Sequence, residues 1–385
     1  MKLEGIRVLE LSLFLPGPLL TQMMGDHGAE VIKLEPPAGE PNREIGAKRD
    51  GVTVYFANTH RGKKSVKLDL KAEEGREAAL RLAETCDVMV EAFRPGVAKR
   101  LGVDYDSVAA RNPGIVYCSL SAFGQTGPYV KRPAHDLATE ALNGIVSVTL
   151  GPDGRPAMPG LAAGDMLASM MGLSGVLMAL LRRQQTGRGD YIDLAMMDAA
   201  FACMPQAMGP VFAEKRPPVP DEERFWGGNA MYRLYETKDG KWIALGAAEM
   251  HFARNILTKL GRLDLMALCQ PPPGPNQNPV REFLAETFRG RSQAEWIDWF
   301  ADVDAAFAPV NDLRQACDDP QIRAREMIVE DARGHEHIGI PIKFRNEPGR
   351  MDFRAPALGE HSEQVLAGLG YSAEEIAAMR EKGVF

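Results

Sequence analysis

His135 and Asp165 are the two side chains whose setting suits acid/base or nucleophilic chemistry. They stand thirty positions apart in RPAHDLATEALNGIVSVTLGPDGRPAMPGLAAGDMLASMMGLSGVLMALL (132–181). A Gly/Pro-rich loop lies between them (Gly151, Pro152, Gly154, Pro156, Pro159, Gly160). Asp165 directly precedes an apolar run with helical spacing, the place of an N-cap, where the first backbone N–H groups of a helix face its carboxylate. Such a place favours the ionised acid and any anion formed beside it. Acyl transfer through a carboxylate needs both. Each residue also has a plainer reading, Asp165 as a helix cap and His135 as a polar loop residue.

The elements that must position this pair alternate along the chain. IRVLEL (6–11) reads as a buried strand, Pro16-Gly17-Pro18 as a turn, LLTQMMGDHG as a helix ending near Gly28, and VIKLE as the next strand. Ala72–Thr85 is an amphipathic helix; DVMVEAF and NPGIVYCSL are further strands. Strand–helix alternation of this kind predicts a doubly wound α/β domain with a parallel sheet. The first turn lacks GxGxxG, so a nicotinamide fingerprint is absent. The apolar run Met166–Leu181 is short for a membrane span and contains Gly172 and Gly175, which predicts a buried helix.

The 385 residues fit one large or two ordinary domains. A Pro-rich charged stretch, Glu214–Glu223, reads as a linker, and beyond Trp226 the pattern changes to a β-hairpin around Lys238-Asp239-Gly240 followed by helices. The expected division is therefore a large domain over 1–224, a smaller α+β domain over 225–325, and a return over 326–385 ending in a strapping helix pair. A net charge of −7 without a Lys/Arg block argues against nucleic acid as a partner. The five scattered cysteines (Cys86, Cys118, Cys203, Cys269, Cys317) form no CxxC pair and fit reduced thiols in the cytoplasm. MKLEGIRVLEL does not read as a signal peptide, and neither a membrane nor a metal partner is expected. One basic segment stands out within this acidic chain. NTHRGKKSVKLDLK (58–71) carries Arg61, Lys63, Lys64, Lys67 and Lys71, either a solvated face or a phosphate cradle for an anionic cofactor.

Seven motifs in order, PGPLLTQMMGDHGAEVIKLE (16–35), NTHRGKKSVKLDLK (58–71), DVMVEAFRPG (87–96), the His135–Asp165 segment, TGRGDYIDLAMMDA (186–199), GGNAMYRLYETKDG (227–240) and GEHSEQVLAGLGYS (359–372), resemble the class III CoA-transferase family. That family contains formyl-CoA transferase, carnitine CoA-transferase and α-methylacyl-CoA racemase. The resemblance implies a large domain built from both chain ends, a small domain between them, and two subunits interlocked as a homodimer. It implies an acyl-CoA thioester and a carboxylic acid as substrates, with no tightly bound cofactor. Carried over by motif position, CoA contacts fall on Leu68, Lys71, Phe93, Arg94, Arg100 and Leu101, with Arg61 and Lys64 suited to its phosphates. Asp165 falls on the family's catalytic aspartate, which in the transferases forms an aspartyl anhydride. The alternative is 2-methylacyl-CoA racemisation through an enolate, with His135 and Asp165 as the acid/base pair and Glu249 supporting it. Leu15 replaces the glutamine of the formyl-CoA transferase pattern, which argues against formyl-CoA and oxalate. Ala134-His135-Asp136-Leu137-Ala138-Thr139 lacks the Gly, Asn and Tyr of the racemase pattern.

Overall fold

The computed structural model describes residues 1–151 and 153–385, so Pro152 of the Gly/Pro-rich loop lies outside the described residues. The chain forms two compact units. The first comprises Met1–Gly144, Pro159–Cys203 and Pro320–Phe385; the second comprises Ile145–Met158 and Met204–Asp319. The crossings thus fall at Cys203 and Asp319 rather than near 224 and 325, and a short stretch before Asp165 joins the second unit.

The first unit is built on β1 (Arg7–Glu10), β2 (Glu30–Glu35), β3 (Lys64–Lys67), β4 (Val88–Glu91), β5 (Val116–Ser121) and β6 (Asp190–Ala195). They form one sheet in the order β3-β2-β1-β4-β5-β6, and every pairing is parallel. All of β4 and β5 is buried, as expected for strands covered on both faces. The crossings use α1 (Pro16–Asp26), α2 (Val54–His60), α3 (Glu73–Glu84), α4 (Val97–Leu101), α5 (Asp136–Asn143) and α6 (Ala163–Thr186). The chain moves outward from β1 to β2 and β3, then returns to β4 on the other side of β1. This reversal places the topological switch point between β1 and β4, where open α/β sheets bind ligands at the strands' carboxyl ends.

Pro16-Gly17-Pro18 is not the turn itself but the first turn of α1, with Pro16 at the first helical position. A helix start loses nothing by the missing N–H of proline. A Cβ on Gly17 would lie 2.0 Å from Ser12 Oγ, so only glycine lets α1 start this close to the chain leaving β1. One apolar core holds α3 side chains such as Ala79 and Leu82, together with Val365, Leu366, Met379 and Val384 from the chain's end. The other holds Leu20, Met24, Ala168, Val176 and Leu180 from α1 and α6. The C-terminal helices Ser362–Gly368 and Ala373–Glu381 therefore complete the first unit, as the expected strap would.

α6 departs from the expected buried helix. Its buried residues Ala168, Gly172, Val176 and Leu180 recur every fourth position, a ridge against α1 and the sheet. The opposite face leaves Met170, Leu177, Met178 and Leu181 exposed. By length and composition alone α6 could cross a membrane, and only 33% of its most apolar window is buried.

The second unit pairs β7 (Tyr232–Glu236) with β8 (Trp242–Gly246) as the expected hairpin, and β9 (Phe307–Pro309) adds antiparallel to β8. α7 (Met250–Lys259), α8 (Asn278–Phe288) and α9 (Gln293–Phe300) supply Ile256, Leu257, Phe288, Trp296 and Phe300 to a core shared with Tyr235, Ile243 and Leu245.

Candidate active site

Asp165 is not a cap. α6 begins at Ala163, its N-cap Ala162 makes no side-chain cap bond, and Asp165 is the third residue of the first turn. The caps come from α5. Its Asp136 and Glu140 stand one helical turn apart on one face. The Asp165 N–H donates to Asp136 Oδ1 at 3.0 Å, and the Ala163 N–H donates to Glu140 Oε1 at 2.6 Å. A Cβ on Gly164 would lie 2.7 Å from Thr139 Oγ1 and 2.9 Å from Asp136 Oδ1, so the absent side chain lets α5 and α6 meet. The helix-start N–H groups expected to receive a reaction oxyanion are thus already engaged by two carboxylates.

This arrangement reverses the expected protonation of Asp165. Burial pushes its carboxyl from 3.8 up to about 7, and the nearby charges of Asp136 and then Glu140 add to the rise. A helix dipole contributes up to ~1 kcal/mol at such a site. That is less than the roughly 1.4 kcal/mol of a tenfold change in proton affinity. Desolvation and two like charges therefore outweigh it.

Three more side chains frame the cluster. His135 is exposed and directly precedes α5; its ring meets the edge of Phe14 at 5.6 Å between centroids. Ser169 Oγ lies 2.8 Å from the carbonyl of Asp165 and 2.7 Å from that of Pro16, tying the loop after β1 to the Asp165 turn. Tyr55 on α2 escaped sequence reasoning. Burial pushes its hydroxyl up to about 12, Asn42 pulls the other way, and the charges of Asp165 and Glu40 add to the rise. No local pattern marks Tyr55, because only the fold brings it within range of Asp165. Glu249 is exposed at the residue before α7, in the second unit.

The residues expected at CoA divide into two groups. Leu68, Lys71, Phe93 and Leu101 line one cavity of ≈130 Å³ together with Leu11, Leu13 and Leu34. These positions follow the carboxyl ends of β1 to β4, at the switch point. The cavity is below the ~300–1,000 Å³ usual for whole ligands and suits a fragment of one. Arg94 and Arg100 are exposed on the chain from β4 through α4. The Phe93 N–H donates at 2.7 Å to Glu91, a buried carboxyl that also accepts from Ser119. Burial pushes Glu91 up to about 7. A larger groove of ≈750 Å³ lies against α3 and the last helix, away from the strand ends. Its charges pair among themselves, Arg111 with Glu77 and Lys382 with Glu74.

Arg61 and Lys64, expected at the CoA phosphates, are ion-paired within the fold. Arg61 is buried and ion-paired to Asp26 at 2.6 Å, and its guanidinium also donates to the Ile338 carbonyl. Lys64 pairs with Glu30. Lys63, from the same basic run, is buried against Glu10 at 2.7 Å, beside the Lys33 pairs with Glu10 and Glu40. These cations neutralise carboxylates of the fold. Of the run's five cations, Lys71 lines the cavity.

A six-stranded parallel sheet with a half-buried carboxyl at a helix start and a cavity at the switch point defines an α/β protein with a candidate ligand site. The family follows from comparison. The model of CoA-transferase family III matches residues 3–362, and the chain belongs to that family of enzymes. It is 33% identical over 413 residues to the succinyl-CoA–D-citramalate CoA-transferase of Chloroflexus aurantiacus, covering 99% of this chain and 98% of that protein. It is 33% identical over 389 residues to the succinate–glutarate CoA-transferase of Agrobacterium fabrum, covering 95% of each. A solved CAIB/BAIF family protein from Brucella suis matches with a TM-score of 0.83 at 29% identity, over 95% of this chain and 99% of that one. The relatives named for their reaction are CoA-transferases, which supports CoA transfer and does not favour the racemase alternative.

Proposed function

We propose that this enzyme moves CoA from the thioester of a small dicarboxylic acid to a second carboxylic acid, with Asp165 as the nucleophile. The observation that carries the reading is the half-buried Asp165 carboxyl, backed by Asp136 and Glu140 at the start of α6. The substrate class is supported by the succinyl-CoA and succinate–glutarate transferases among the relatives.

The steps balance as two successive exchanges. The ionised Asp165 carboxylate attacks the thioester carbonyl, the C–S bond breaks, and CoA thiolate leaves a mixed anhydride. The thiolate then attacks the aspartyl carbonyl, releasing the first acid as a carboxylate and leaving an aspartyl-CoA thioester. The acceptor carboxylate attacks the aspartyl carbonyl of that thioester, the C–S bond breaks, and CoA thiolate leaves a second anhydride. Thiolate attack on the acceptor's carbonyl then releases the new thioester and restores Asp165. Burial suits this cycle. A desolvated carboxylate is a stronger nucleophile, and water that would hydrolyse the anhydride is kept away. Because the Asp165 carboxyl is raised to about 7, loss of its proton precedes attack.

In this reading Leu68, Phe93 and Leu101 hold an apolar part of CoA, while Lys71, Arg94 and Arg100 meet its phosphates. His135, beside the Asp165 turn's partner helix α5, positions the acyl group or the acceptor. A homodimer accounts for the exposed apolar face of α6, since contiguous patches of this kind mark association surfaces.

The test incubates the enzyme with succinyl-CoA and a panel of dicarboxylic and hydroxy-dicarboxylic acids and identifies new CoA thioesters by mass. The expected result is an acceptor-specific thioester that Asp165→Ala reduces at least about a thousand-fold. An undiminished rate in Asp165→Ala would remove the nucleophile. Solvent deuterium at the α-carbon of a 2-methylacyl-CoA, without any acceptor acid, would instead support the racemase.

A further inference from the structure

Phe14 stands in a left-handed backbone conformation, φ +64°, which a bulky non-glycine residue adopts only when its surroundings impose it. The surroundings are buried side chains. Phe14's N–H donates to Glu40 at 2.9 Å, and Asn42 Nδ2 donates to Phe14's carbonyl at 2.5 Å. Glu40 is ion-paired to Lys33 at 2.8 Å, and Lys33 also donates to the carbonyl of Ser12. Lys33, Glu40 and Asn42 are all at most 2% exposed. Both backbone polar groups of one strained loop residue are therefore held by polar groups taken out of water, an arrangement that packing alone does not require.

The loop so held runs between the two parts of the proposed site. Leu11 and Leu13 line the cavity at the switch point. Two residues beyond Phe14, the carbonyl of Pro16 accepts from Ser169, which is bonded to the Asp165 turn. Between them lies Phe14, 36% exposed, with its ring against that of His135. With CoA in the cavity and the thioester carbonyl at Asp165, as proposed above, both ends of this loop meet the substrate.

We infer that Phe14 sets which acyl chains the enzyme accepts, by presenting its ring to the methylene part of the acyl group, and that Lys33, Glu40 and Asn42 are positioning residues that hold it there. The inference rests on the proposed transfer at Asp165. An aromatic wall facing methylenes discriminates by size, and one methylene in an apolar site is worth roughly ten- to two-hundred-fold in kcat/KM.

The experiment measures kcat/KM for straight-chain dicarboxylyl-CoA donors of four, five and six carbons with one acceptor acid. It compares the wild-type enzyme with Phe14→Gly, Phe14→Asn and Asn42→Ala. Glycine and asparagine both tolerate the left-handed conformation, so at least one variant keeps the backbone. The expected result is a shift of the six- to four-carbon ratio by about tenfold or more toward the longer donor in the Phe14 variants. A shift in the same direction is expected in Asn42→Ala, with the KM for the acceptor acid unchanged. A uniform loss across donors with an unchanged ratio would make Phe14 structural and overturn the inference. Asp165→Ala in the same assay separates the two readings. Activity that survives it sinks the transfer at Asp165, whereas Asp165-dependent activity with an unmoved ratio sinks only the role of Phe14.

Discussion

Two clusters of charge in the first unit use similar acids to opposite ends. Around β1 to β3, buried Glu10 and Glu40 meet Lys33 and Lys63, with Asp26–Arg61 and Glu30–Lys64 as separate pairs. Burial raises the Glu10 carboxyl, but the charges of Lys33 and Lys63 outweigh it and hold the group at about 2. At the start of α6, Asp165 faces Asp136 and Glu140, and its carboxyl moves up to about 7. Carboxyls in both clusters are withdrawn from water; the sign of the neighbour decides the outcome. The paired cluster is structural, because a carboxylate held by cations is stabilised as an anion and is a poor base and nucleophile. In the proposed reaction the like-charged cluster supplies the nucleophile, because its repulsion raises the proton affinity of Asp165.

The largest effect expected from this contrast is on stability. Arg61→Ala leaves Asp26 buried and unpaired, which should cost about 3–5 kcal/mol. Thermal unfolding checks it, and the KM for the CoA thioester in the surviving folded fraction should stay within twofold. Lys71→Ala and Arg100→Ala should do the reverse, raising that KM several-fold with an unchanged unfolding midpoint. A raised KM in a stable Arg61→Ala protein would return Arg61 to the phosphate site and break the contrast.

A smaller effect concerns pH. Asp165 must be ionised to attack, so kcat/KM should rise with pH through about 7 and level above it. The linkage to stability has the opposite sign. The folded-state value lies above the usual 3.8, so this group's contribution is present below about pH 4 and is lost as pH rises through about 7. Asp136→Asn removes one like charge while leaving a side-chain oxygen for the Asp165 N–H. The acidic limb of the rate profile should move to lower pH, and the stability loss should be smaller and end at lower pH. A limb that stays in place would show that burial alone sets the protonation of Asp165.

The sheet was legible in the sequence because its strands are buried on both faces and read as apolar runs bounded by turns; VMVE and VYCSLS are fully buried. Pro16-Gly17-Pro18 misled, since proline marks a turn and a helix start alike. Asp165 was placed at a helix start, yet its caps, Asp136 and Glu140, were invisible because they lie on another helix. The ion-pair partners of the basic run were hidden for a related reason. Its counter-ions sit far back in the chain, Asp26 for Arg61 and Glu30 for Lys64, and residue type does not disclose partners. Leu68, Lys71, Phe93 and Leu101 came from motif position, and they share a cavity only because β3 and β4 flank the β1–β2 pair.

The most direct measurement of the central claim is chemical trapping at Asp165. The enzyme is mixed with succinyl-CoA without an acceptor, quenched with hydroxylamine, digested, and the peptide spanning the start of α6 weighed. The account predicts a hydroxamate on Asp165, formed from its anhydride or CoA thioester. The signal should strengthen as pH rises through about 7 and be absent from Asp165→Asn. An enzyme that transfers CoA under these conditions while Asp165 stays unmodified, with the hydroxamate on another acid, would contradict it.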